Sequence, residues 1–366
     1  MNREYIHRLT QLLQREGLDA LLVAPSPELA LLVGHSPLHC YRFQGLFLTA
    51  QGGLFYVCNL LTAGEMRRAL PENTVYAWHD NGSYLDIVRQ ALAENGLLGK
   101  KIGVNKHVRA VHILEISQAM DVRFVSAGEL CSESRIHKSQ QELDHMRRAA
   151  QISEEAFRRT VAELRPGMTE QDVGETLIRH TLELGGEAPA AMVAAGPNGG
   201  DAHYTGNSRV LQKGDGVTID FGCAWKGLRT DITRTIFLDH VSPRQRELYE
   251  LVRAANEAAE ALLRSGERWI PNLDAAARGV IEAAGYGPYF TTRLGHGIGY
   301  MGHEAPDIKA SNTRMLEPGM CFSIEPGIYI DGELGVRIED CAAVGLDGQG
   351  IVLTSGLPKD IQVIPF

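Results

Sequence analysis

The sequence predicts an α+β protein of two domains, a smaller α/β region followed by a larger one that uses the same order of elements twice. Three observations carry this. The 366 residues exceed what one ordinary hydrophobic core serves. The first part alternates helical and strand-like patterns. Within residues 140–340 the order helix, helix, hairpin occurs twice, which we read as an internal duplication. The expected domains are 1–131 and 132–366.

In the first domain, Ile6, Leu9, Leu12 and Leu13 make one helical face that Gly17 stops. Leu21-Leu22-Val23 reads as a short buried strand. Leu46–Thr49 and Leu54–Val57 flank Gln51-Gly52-Gly53 in a hairpin pattern. Leu85–Leu97 is helical, and Lys101–Val104 and Val122–Val125 are strand-like. In the second domain, Ser139 and Glu142 have capping-box spacing before a helix that runs to about Leu164. A second helix starts at Thr169 and ends at Gly185-Gly186; strands Val217–Phe221 and Thr230–Phe237 follow. The order then repeats, with Ser242 capping and Pro243 opening a helix that ends at Ser265-Gly266. A helix over Leu273–Ala284 and strands Cys321–Glu325 and Gly335–Glu339 complete it.

Composition excludes several classes. With 36 Lys and Arg against 45 Asp and Glu the net charge is −9, so nucleic acid and anionic membranes have no electrostatic reason to bind. No apolar run reaches membrane-spanning length, and Met1-Asn2-Arg3-Glu4 leads into an amphipathic helix and not a signal core. The six cysteines lack paired spacing, which suits reduced thiols in a cytoplasmic protein.

The chemistry concentrates in the two predicted hairpins. A turn at Trp225-Lys226 would set Asp220 opposite Asp231, with Cβ atoms about 5 Å apart. A turn at Asp331-Gly332-Glu333 would set Glu325 opposite Glu339, although Pro326 disturbs the ladder there. Facing carboxylates in apolar strands are unfavourable unless a cation lies between them. Any one of these acids alone reads as an ordinary surface charge. A pair repeated at equivalent positions reads as a divalent-cation site. His296, flanked by Gly295 and Gly297, is the imidazole candidate. Oxygen ligands with one imidazole suit Mn²⁺, Co²⁺ or Zn²⁺ better than Ca²⁺. Other motifs fail in context. Gly297, Gly299 and Gly302 spell GxGxxG without a βαβ unit, and His303-Glu304 begins an HExxH string that Pro306 and Asp307 break.

The segments Asp220-Phe221-Gly222, Asp231–Thr235, Gly295–Gly299, Glu325–Tyr329 and Arg337–Asp340 resemble those of the pita-bread metallopeptidases. This is the family of methionine aminopeptidase, aminopeptidase P and prolidase (Xaa-Pro dipeptidase). Residues 135–366 carry the resemblance densely, and the first part is similar to the N-terminal domain of the creatinase, prolidase and aminopeptidase P branch. The sequence is most similar to a bacterial Xaa-Pro dipeptidase. The resemblance implies a pita-bread fold in which Asp220, Asp231, His296, Glu325 and Glu339 hold two divalent metal ions, with manganese preferred. Asp231 and Glu339 would bridge them. His203 and His303 match family histidines, and Arg337 matches the arginine that supports the bridging carboxylate, orienting Glu339 or Asp340 here.

Such a site would hydrolyse a peptide bond that precedes proline. A water between two divalent ions ionises near neutral pH and attacks the carbonyl. Glu325 would shuttle the proton to the leaving nitrogen, with His203 or His303 donating to the oxyanion. The sequence departs from the family at Thr292, where a histidine commonly lines the substrate pocket, so Thr292 bears on proline specificity. Arg42, in the loop-like stretch Gly34–Phe43 after a predicted strand, is either a surface arginine or the group that reads a dipeptide's free carboxylate. The alternatives to a dipeptidase are an aminopeptidase P acting on longer Xaa-Pro peptides and a specialised small-amide hydrolase. A homodimer is expected by the same resemblance.

Overall fold

In the computed structural model, which describes residues 1–366, the chain divides between Arg135 and Ile136. In the first unit one mixed sheet runs in the order Thr74–Trp78, Leu54–Asn59, Gly45–Thr49, Ala20–Val23, Lys101–Val104 and Arg123–Ser126. Gly45–Thr49 pairs antiparallel with both neighbours, and the other pairs are parallel. Both faces are covered. Leu21 and Val23 enter one apolar cluster while Ala20 and Leu22 enter another, the alternation a pleated strand requires.

One local expectation fails here. Gly34–Phe43 follows a helix, Pro27–Val33, and not a strand. The signals are local. Ser26 Oγ accepts from the Leu29 amide at 3.3 Å, Pro27 stands in the first turn, and Gly34 closes the helix at φ 78°.

The second unit repeats its elements as expected. Ser139 with Glu142, Thr169 with Asp172 and Ser242 with Gln245 each form a reciprocal cap, opening helices Gln140–Ala162, Glu170–Glu183 and Pro243–Arg264. The fourth helix, Ile270–Ala283, begins earlier than its apolar spacing suggested, with Pro271 in its first turn. Glu187–Ala195, alanine-rich and not anticipated, pairs antiparallel with Gly216–Trp225, which pairs antiparallel with Ile232–Leu238. The second half sets Gly295–Gly297 beside Cys321–Ile324, and that strand beside Asp340–Val344. Leu248, Val252, Leu273 and Ala277 pack the later helices against Phe322 and Ile324 of this sheet. Between the halves, Thr233 bridges to Glu339, and Ile232–Leu238 pairs parallel with Val363–Ile364. No helix is long and apolar enough to cross a membrane, and all six cysteines are free thiols.

Candidate metal centre

The first hairpin does not turn where the sequence suggested. Lys226 (φ 50°) and Gly227 (φ 77°) form the turn, so Trp225 faces Leu228 and Asp220 faces Thr233 instead of Asp231. The shift is two residues, which preserves the face. Asp231 therefore still lies beside Asp220, diagonally, at a break between Leu228–Arg229 and Ile232–Leu238. Its backbone there bonds to sulfur. The Asp231 amide donates to Cys341 Sγ at 3.2 Å, and the thiol lies 3.1 Å from the Asp231 carbonyl.

The second hairpin has the expected register. Gly327 faces Arg337 on one side, Ile324 faces Asp340 on the other, and Glu325 and Glu339 fall in the gap between the two ladders. Pro326 explains the gap, since it has no amide to donate. Two acidic pairs thus leave two interrupted hairpins at one place. The ligand atoms of Asp220, Asp231 and Glu339 lie within 4.8 Å of one another, as do those of His296, Glu325 and Glu339 and those of Asp231, His296 and His303.

Each side chain is held. Glu339 Oε2 accepts from Thr233 Oγ1 at 2.7 Å, while its Oε1 is buried with no hydrogen-bond partner. Ser323 Oγ accepts from the His296 amide at 2.9 Å and donates to Glu325 Oε1 at 3.0 Å. His296 Nδ1 lies 3.0 Å from the Gly297 carbonyl, which places the proton on Nδ1 and leaves Nε2, 3.3 Å from Glu325 Oε1, as the lone-pair nitrogen. The His303 ring packs on that of His296 with centroids 4.0 Å apart. His203 is exposed; its amide donates to Asp201 Oδ1, and the preceding Ala202 carbonyl accepts from Arg337 Nη1 at 3.2 Å.

Arg337 differs from expectation. Its Nη2 reaches Asp220 Oδ2 at 2.6 Å and its Nε reaches Thr233 Oγ1 at 3.0 Å, so it touches Glu339 only through Thr233. Asp340 is bonded by another arginine, Arg234. Tyr329, unremarked in the sequence, accepts from Arg337 Nη1 at 3.1 Å. Two other candidates stand outside the cluster. Thr292 has a buried hydroxyl without a partner, and its carbonyl accepts from Arg278 Nη2 at 3.0 Å. Arg42 belongs to the first unit, where it grips Asp80 through two bonds of 2.9 and 2.8 Å.

The electrostatics match a set of acids short of cations. Burial, then Glu339 and Asp220, pushes the Asp231 carboxyl far above the usual carboxylate range. Burial, then Glu325 and Asp220, does the same to Glu339. Burial raises Glu325 to about 7 even though Arg337 opposes it. Burial and His303 lower His296 to about 4, which keeps the imidazole neutral and able to ligate. An orphaned carboxylate oxygen, four converging acids and one neutral imidazole fit divalent cations.

Comparison with known proteins supplies the family. The family model for metallopeptidase family M24 matches residues 144–345, and that for the creatinase/prolidase N-terminal domain matches residues 6–137. The chain belongs to metallopeptidase family M24. It is 30% identical to the Xaa-Pro dipeptidase of Lactobacillus helveticus, covering 99% of each chain. It superposes on a prolidase from Thermococcus sibiricus with a TM-score of 0.91 at 30% identity, covering 100% of this chain and 99% of that one. The dipeptidase PepE of Mycobacterium ulcerans gives 0.89 at 32% identity with the same coverage. The M24 chain thus has the two-domain, pita-bread architecture that its motifs implied.

Proposed function

We propose that this M24 chain is a metal-dependent dipeptidase that cleaves the bond before proline in Xaa-Pro dipeptides. Two divalent ions would be held by Asp220, Asp231, His296, Glu325 and Glu339, with Asp231 and Glu339 shared. The observation that carries the reading is the buried, unpartnered Glu339 Oε1 amid three further carboxylates and a neutral imidazole. Relatives named for dipeptide and Xaa-Pro cleavage support the substrate class. Manganese is our choice of metal; Co²⁺ and Zn²⁺ suit the same donors.

Such ions supply an acidified water and a Lewis acid for the scissile carbonyl. The protein's own groups do the rest. Glu325 would take a proton and pass it to the leaving nitrogen. Ser323 Oγ holds its Oε1 in place. His303, packed on His296, and His203 would donate to the developing oxyanion. Arg337 holds Asp220 and, through Thr233, Glu339. The free thiols support a cytoplasmic setting, and we take the active form to be a homodimer. A single-chain mass by sedimentation would count against the dimer.

A manganese-supplemented assay with an Xaa-Pro dipeptide, an Xaa-Pro tripeptide and a dipeptide lacking proline tests the reading. The first should be cleaved fastest. Preference for the tripeptide would assign an aminopeptidase P, and cleavage of the proline-free dipeptide alone would overturn the Xaa-Pro assignment. The same substrates test Arg42, whose replacement by Ala should raise KM for dipeptides alone if it reads their carboxylate in place of Asp80.

A further inference from the structure

A second set of buried charges stands on the other face of the Glu339–Cys341 segment, and the proposed chemistry does not use it. Arg234 is fully buried. Its Nη1 donates to the carbonyls of Thr233 at 2.9 Å and Glu339 at 2.7 Å. Its Nη2 donates to Asp340 Oδ1 at 2.8 Å and to the Leu357 carbonyl at 3.3 Å. Asp340 Oδ1 also accepts from Thr354 Oγ1 at 2.8 Å, and its Oδ2 lies 3.0 Å from Lys359 Nζ. Lys359 Nζ is 2.7 Å from Glu260 Oε1 and donates to Asn256 Oδ1 at 2.5 Å. Asn256 Nδ2 in turn donates to the carbonyls of Ile324 at 2.9 Å and Ile338 at 3.4 Å.

The backbone atoms this network grips are those beside the candidate ligands. Ile324 precedes Glu325, Ile338 precedes Glu339, and Thr233 supplies the hydroxyl on Glu339 Oε2. Two of these ligands sit where the ladders are interrupted, and each keeps a backbone bond there: the Glu325 amide donates to the Leu294 carbonyl at 2.8 Å and the Glu339 amide to the Thr233 carbonyl at 3.0 Å. A guanidinium fork that bonds the carbonyls of Thr233 and Glu339 reinforces this sparse pairing from behind. The C-terminal residues Thr354, Leu357 and Lys359 close the network from behind.

We propose that Arg234, Asp340, Asn256 and Lys359 are positioning residues that set the affinity of the centre for metal by fixing the backbone beside Glu325 and Glu339. The inference rests on the reading of those acids as ligands. It predicts that metal binding depends on side chains that cannot touch the metal, as outer partners of metal ligands do elsewhere.

The test is calorimetric titration of Mn²⁺ into the full chain stripped with EDTA. Asp340→Asn keeps the shape and removes the charge that Arg234 and Lys359 grip; it should raise the Mn²⁺ Kd by about 10- to 100-fold. Thr354→Val removes one hydrogen bond to Asp340 and should raise Kd by a smaller factor with the fold intact. A network that only stabilises the fold would lower the melting temperature of the metal-free protein and leave Kd unchanged. That result in either variant overturns the proposal, and Thr354→Val alone decides it if Asp340→Asn does not fold. Asp231→Asn, run alongside, separates this from the ligand reading. Wild-type affinity in Asp231→Asn would overturn the reading itself, whereas lost affinity there with unchanged Kd in the other two would overturn only the network's role.

Discussion

Two buried charge clusters lie back to back in the second unit, and they differ in how their charge is balanced. In the cluster behind the hairpins every carboxylate oxygen lies beside a cation, although Asp340 Oδ2 and Glu260 Oε1 are ion-paired without a hydrogen bond. Asp340 has Arg234 and Lys359, and Glu260 has Lys359 on one oxygen and Arg264 at 3.1 Å on the other. In the cluster facing the site, four carboxylates share one guanidinium, Arg337, and Glu339 Oε1 has nothing. Both are buried, so both carry a desolvation cost. Burial raises even Glu260, against the pull of Lys359. Only the front cluster has more carboxylates than cations, and that deficit marks a place for cations from outside. Burial of charge by itself marks nothing.

The largest effect that could break the contrast is loss of a front carboxylate. Asp231→Asn should abolish both Mn²⁺ binding and peptide cleavage. Elemental analysis of the wild-type protein should find up to two divalent ions per chain. Full activity after exhaustive chelation would show that the deficit is not filled by metal.

The next effect is on stability against pH. A carboxyl raised in the folded state, as Glu325 is to about 7, binds a proton that the unfolded chain has already released above pH ~4.5. The native state then holds more protons, so stability falls as pH rises from ~4.5 to ~7 and stays low above it. Asp231 and Glu339 act in the same direction as Glu325, whereas His296, lowered to about 4, and His303 act oppositely below pH ~6.5, so the raised carboxyls dominate only above that pH. The metal-free protein should therefore melt at lower temperature at pH 8.5 than at pH 6.5. Saturating Mn²⁺ should remove most of that slope by stabilising the ionised form. A metal-free melting temperature that rises over this range would contradict the charge deficit.

What was legible in the sequence followed the range of the forces involved. Caps were readable because Ser139 and Glu142, or Ser242 and Pro243, signal within one helical turn. The face of each acid was readable too, because a two-residue error in the first turn returns Asp231 to the same side. The turn itself was misplaced because Lys226 adopts a left-handed conformation that favours glycine, and only Gly227 announces it. Glu187–Ala195 lacks the β-branched run that marks a strand and is held by its neighbour. Arg234 stood inside a recognised motif, yet its partners Glu339, Asp340 and Leu357 lie more than a hundred residues away, where no periodicity reaches. Arg337 was singled out for a similar reason of pattern, and its partner proved to be Asp220.

The smallest expected effect sharpens the comparison where the two clusters join. Along Glu339-Asp340-Cys341 successive side chains alternate, so Asp340 serves the rear network while Glu339 and Cys341 turn to the front. Cys341 Sγ accepts the Asp231 amide and lies within reach of its carbonyl; burial lifts the thiol far above its ordinary range, so it remains protonated and can donate. Cys341→Ser keeps a donor and an acceptor at nearly the same place. Cys341→Ala leaves two backbone groups of Asp231 with no side-chain partner, a cost of about 1–3 kcal/mol for a buried polar group. If that loss loosens Asp231, Ala should weaken Mn²⁺ binding by about threefold to tenfold, on the same free-energy scale, and Ser should recover most of it. Equal affinity in Ala, Ser and wild type would mean that Asp231 is held by its own chain, and that positioning from behind stops at Asp340.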